Sequence, residues 1–73
     1  MKNTAKLPLT TAELADAITE HFDTHDGITV RQFAQLANVG TTKARGMIKT
    51  YVDEGYFELI PMSRGYYRPT DKW

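Results

Sequence analysis

Leu14, Ile18 and Phe22 recur every four residues behind Thr10 and Glu13, which stand three apart. That pattern predicts a capping box and an amphipathic helix from about 11 to 24. "THDG" reads as its exit, and "ITV" as a brief extended piece with Ile28 turned inward. A second capping box follows at Thr29 and Gln32, with Phe33, Leu36 and Ala37 as the apolar stripe of a short helix from about 30 to 37. In "NVG", Asn38 and Gly40 are residue types that tolerate positive φ, leaving Val39 to plug the corner between two helices. Thr41 or Thr42 is placed to cap a third helix. Ala44, Met47, Ile48, Tyr51 and Val52 carry it from about 42 to 54, and Gly55 ends it.

Past Gly55 the period changes to two. "YFELI" alternates as a half-buried strand, "PMSRG" turns, and "YYR" returns as the partner strand before Pro69 stops it. The expected fold is therefore mainly α with a small β-hairpin, over about residues 10–69, between an N-terminal segment 1–9 and a C-terminal tail 70–73. Its expected core gathers Leu14, Ile18, Phe22, Phe33, Leu36, Val39, Met47, Ile48, Phe57 and Leu59. Tyr66 and Tyr67 are adjacent on one strand and so point to opposite faces.

A chain of 73 residues, 41% hydrophobic and 25% charged, holds one soluble-type domain that has to close an efficient core. The absence of cysteine excludes disulfides, thiolate metal sites and a cysteine nucleophile, and suits a reducing compartment. With no run of 18 apolar residues and no signal-peptide pattern at the start, a cytoplasmic protein without a membrane span is expected. Zero formal charge hides a segregation. Residues 1–27 carry two lysines against five acids, whereas residues 28–52 carry Arg31, Lys43, Arg45 and Lys49 and no acid at all.

"FAQLANVGTTKARGMI" resembles a helix-turn-helix, and "YVDEGYFELI…GYYRPT" resembles the run from third helix into wing of winged helix-turn-helix DNA-binding domains. The likeness spans about residues 11 to 69, with Asn38 where that turn often has glycine. It implies three helices plus a wing, and a small transcriptional regulator of bacterial, phage or plasmid type that binds double-stranded DNA. In such a domain the third helix enters the major groove, which assigns DNA contacts to Thr41, Thr42, Lys43, Arg45, Gly46 and Lys49. Arginine can hold guanine bidentately, threonine can meet several base edges, and lysine neutralises phosphate. The wing adds Arg64 at its tip and Arg68 on its strand.

Gly46 lies inside a helix, where glycine costs about 1 kcal/mol relative to alanine; close approach by DNA backbone or by a neighbouring helix would account for it. No catalytic role is expected: "GTTKARG" lacks the order of a phosphate loop, and no nucleophile–base pair is placed. His21 and His25, four apart beside Asp26, share a helix face but find no third metal ligand, so no metal, cofactor or small-molecule ligand is expected. Glu13, Asp16, Glu20 and Asp23 form an acidic stripe on the first helix. It reads as a solvated face or as a docking surface for a cationic partner, which keeps open a protein-interaction module on the same fold. One recognition helix reads few base pairs, so several copies are expected to cooperate on DNA, through that stripe or through the apolar "LPL" and Trp73.

Overall fold

The computed structural model describes residues 11–73. Helix α1 runs Ala12–Thr24, and its cap is Thr11, whose hydroxyl accepts from the Leu14 N–H at 3.1 Å. The cap is thus one residue later than expected, and Thr10 lies outside the described residues. Strand β1 (Ile28–Thr29) leads straight into α2 (Val30–Ala37), where both halves of the Thr29–Gln32 capping box are made. These reciprocal bonds satisfy two otherwise orphan N–H groups and set the start of a helix of only 8 residues.

Asn38 takes the left-handed conformation with φ 55. It closes α2 with paired bonds from the Asn38 N–H to the Gln35 carbonyl and from the Val39 N–H to the Ala34 carbonyl. Helix α3 then spans Thr41–Asp53, one residue ahead of the expected range, because the cap is Gly40 and neither Thr41 nor Thr42. The Gly40 carbonyl accepts the first helical bond from Ala44, and no side chain caps this end. At the other end Gly55 (φ 86) completes a second such closure, with Tyr56 N–H on the Tyr51 carbonyl at 2.8 Å.

Strands β2 (Phe57–Leu59) and β3 (Tyr66–Pro69) form the expected hairpin. It is part of a larger unit: β1 pairs antiparallel with the other edge of β3, giving a three-stranded sheet ordered β1-β3-β2. Gly27 makes this possible. A Cβ there would lie 2.5 Å from the Tyr67 carbonyl oxygen, so any larger residue forces β1 away from β3. His21 anchors the same turn by donating from Nε2 to the Gly27 carbonyl at 2.9 Å.

The core lies between the helices and the sheet. Ala15, Ile18, Ile28, Phe33, Ala44, Ile48, Tyr51 and Phe57 are all buried, with Phe57 at the centre of an aromatic cluster. Its ring lies 5.1 Å from Tyr51, 5.2 Å from Trp73 and 5.7 Å from Phe22, mostly edge to face. Two expected core residues are not core: Leu36 is 37% exposed and Leu59 48% exposed. Leu36 stands where α2 faces a groove, and the burial of β2 falls on Phe57 alone.

The segment expected as a C-terminal tail is packed. Trp73 is only 7% exposed, and its indole N–H donates to the Thr19 hydroxyl at 3.0 Å. Lys72 meanwhile donates to the Glu54 carbonyl at 2.8 Å, at the C-terminal end of α3 where a cation is favoured.

The Tyr51 hydroxyl is buried and finds no hydrogen-bond partner among the described residues. Burial pushes its pKa up from 10.0 to about 12. Below pH 10 both folded and unfolded chains keep this proton; between about 10 and 12 only the folded chain keeps it, so its contribution to stability declines as pH rises through that window. The loss is on the order of 3 kcal/mol at 1.36 kcal/mol per pH unit. Tyr51→Phe removes the unpaired hydroxyl, and is expected to raise stability by about 1 kcal/mol at pH 7 and to abolish this share of the alkaline decline. Urea denaturation of both proteins at pH 7 and pH 11 checks it; a Tyr51→Phe variant weaker at pH 7 would mean that the hydroxyl is satisfied.

Candidate functional site

Burial divides α3 into two faces. Ala44, Met47, Ile48 and Tyr51, spaced three and four, are buried, while Thr41, Thr42, Lys43, Arg45, Gly46 and Lys49 are all exposed. The helix packs on α2 across the Asn38 turn, so rigid elements hold its exposed face. Its first turn carries no acid and no side-chain cap. The opening N–H groups are therefore left for water or an anion, and the helix dipole adds positive potential there.

The cations differ in their freedom. Lys49 pairs with Asp53 at 3.2 Å, both side chains well exposed. Arg68 pairs with Glu58 at 3.4 Å, directly across the β2–β3 ladder. Exposed pairs of this kind contribute about 0–1 kcal/mol, so either cation can exchange its partner for a phosphate at small cost. Lys43, Arg45 and Arg64 are exposed and take part in no salt bridge among the described residues.

Arg64 sits in the β2–β3 loop. Ser63 braces that loop, its hydroxyl donating to the Ile60 carbonyl at 2.6 Å and accepting from the Tyr66 N–H at 3.2 Å. Met62, beside it, has a positive φ of 65 and is fully exposed. "PMSRG" marked a turn but gave no sign that its methionine stands in water. Together Met62 and Arg64 make the loop tip amphipathic.

A Cβ at Gly46 would meet nothing within 4 Å, so packing of the described residues does not require the glycine. Of the two reasons expected for it, close helix–helix contact is removed. Gly46 instead borders a groove of about 670 Å³, lined also by Leu14 of α1, Leu36 and Ala37 of α2, Val39 of the turn, and Met47. Periodicity assigned Leu36 to the core and gave no hint of this concavity.

The acidic side chains Glu13, Asp16, Glu20 and Asp23 are all exposed along α1, and none forms an ion pair among the described residues. His21 and His25 stack in parallel with ring centroids 4.1 Å apart. Among the described residues, no three histidine, cysteine or acidic side chains form a group able to hold a metal, and no helix is long and apolar enough to cross a membrane. No family model, curated protein or solved structure matches the chain.

Proposed function

We propose that the chain is a winged helix-turn-helix module that binds double-stranded DNA and acts as a small transcriptional regulator, with α2, the Asn38 turn and α3 as the reading unit and the β2–β3 loop as the wing. One observation carries this reading: α3 presents Thr41, Thr42, Lys43, Arg45 and Lys49 on its exposed face with no acid before Asp53. Arg45 then reads a base edge, Lys43 and Lys49 neutralise phosphate, and Arg64 reaches backbone or minor groove from the loop tip. Asp53 tempers Lys49 by holding it at 3.2 Å. The unpaired acidic stripe of α1 favours a second element of the proposal, contact between copies on neighbouring sites. Equal per-site affinity on one-site and two-site duplexes rejects that element.

Arg45→Ala is expected to weaken a specific site by about 1–3 kcal/mol and to relax preference at one base pair. Lys49→Ala is expected to weaken all sequences alike and to make the salt slope shallower by about one. Anisotropy titrations on matched and mutated duplexes at several salt concentrations separate the two. If both variants bind as the parent does, α3 is not the reading helix, and a protein partner on the acidic face becomes the better account.

A further inference from the structure

We propose, resting on the DNA-binding reading, that Met62 in the β2–β3 loop is an apolar wedge that enters the minor groove and partly unstacks a base step. The loop turns at residues 60–63, where the Ser63 N–H donates to the Ile60 carbonyl at 3.1 Å. Pro61 stands second in that turn and Met62 third, with φ 65. A positive φ after proline is the pattern of a type II turn, which asks for glycine or asparagine at its third position. Methionine there carries the steric cost of the left-handed region that glycine avoids. Nothing among the described residues offsets that cost, because Met62 is fully exposed and belongs neither to the core nor to the side chains packed against it. Its neighbours brace the loop instead: the Ser63 hydroxyl bonds to Ile60 and Tyr66, and Gly65 (φ 87) leads the chain back into β3. Strain in a braced loop thus holds one large apolar side chain out in water, which points to a role outside the fold.

The surroundings of Met62 select the partner. From Leu59 to Thr70 the chain carries Arg64 and Arg68 and no acid, and Arg64 is exposed with no salt bridge among the described residues. An apolar tip two residues from an unpaired arginine suits the minor groove, where base acceptors line the floor and phosphates the rims. That groove is about 6 Å wide, which admits an unbranched side chain with three rotatable bonds. Proteins that bind there use methionine, among other apolar residues, as a wedge between base steps. A single side chain is far too little apolar area to hold a protein partner, whereas one wedge is enough to open one step. Pyrimidine–purine steps unstack most readily, so they are where Met62 enters. Sites would then be selected by deformability under the loop as well as by base edges under α3.

Opening a base step unwinds the duplex, so plasmid topology reads the wedge. Relaxed closed-circular plasmid is treated with topoisomerase I while the full chain is bound at about 50 mM salt, and the protein is then removed. The parent is expected to leave the plasmid negatively supercoiled, and Met62→Leu to do the same. Met62→Gly is expected to lose most of that shift yet to keep the parent's salt slope on a short duplex, because Met62 carries no charge. Its melting temperature should be no lower than the parent's, since glycine suits the turn. A parent that binds the short duplex but leaves plasmid topology unchanged overturns the wedge and leaves the proposed function standing. A Met62→Gly variant that shifts the plasmid as far as the parent, or that melts at a lower temperature, overturns it too. A parent that binds no duplex at this salt overturns the wedge and the proposed function together.

Discussion

Replacing Trp73 by alanine is expected to destabilise the domain by about 3–5 kcal/mol, a large share of the roughly 4–11 kcal/mol that 0.05–0.15 kcal/mol per residue allows a chain of 73 residues. The indole contacts Phe57 at 5.2 Å, Tyr51 at 6.1 Å and Phe22 at 6.3 Å between ring centroids, so its loss opens the centre of the aromatic cluster. It also takes away the donor to Thr19, and with it a tie between the C-terminal segment and α1. Trp73→Phe separates the two effects, since it keeps most of the packing and forfeits the hydrogen bond, at about 1 kcal/mol. Urea midpoints followed by circular dichroism give both values. A midpoint unmoved by Trp73→Ala would mean that residues 70–73 do not close over the core in solution.

Phe33→Ala is expected to cost a similar 3–5 kcal/mol, through a different part of the structure. Phe33 is fully buried and meets Tyr51 at 5.7 Å and Phe57 at 6.4 Å, which joins α2 to α3 and to β2 at once. Helix α2 has only 8 residues, too few to hold a helix without tertiary packing. Its truncation therefore loosens the Asn38 turn and the placement of α3 along with the core. Leu36→Ala on the same helix provides the contrast, because a side chain 37% exposed has less burial to lose. Thermal melts of the two variants should differ by well over 5 °C. Equal losses would place Leu36 in the core and contradict the exposed groove.

Local chemistry made the helices legible, and α2 most of all. A reciprocal cap at one end and a left-handed asparagine at the other set the same bounds in sequence and structure, Val30–Ala37. Helix α3 was displaced by one residue because a glycine backbone does the capping there, which no side-chain pattern announces. Periodicity gave the face of Leu36 and Leu59 but not their depth, since depth depends on what stands opposite. The β1–β3 pairing was hidden because two residues carry no period. Trp73 was hidden because its partners, Thr19 and Phe57, are far away in sequence.

Exposure of Lys43, Arg45 and Lys49 followed from the phase of α3 once Ala44, Met47, Ile48 and Tyr51 were assigned inward. The Glu58–Arg68 pair needed the strand register, which the turn residues alone did not supply.

The most direct test of the proposed function is the affinity of the full chain for duplex DNA as a function of salt. With Lys43, Arg45, Lys49, Arg64 and Arg68 as the available cations, the account predicts measurable binding at about 50 mM salt. The logarithm of affinity should fall linearly with the logarithm of salt concentration, with a slope of roughly −2.7 to −3.6 for the three or four of these cations that meet phosphate. No binding at that salt, or a slope near zero, would contradict it.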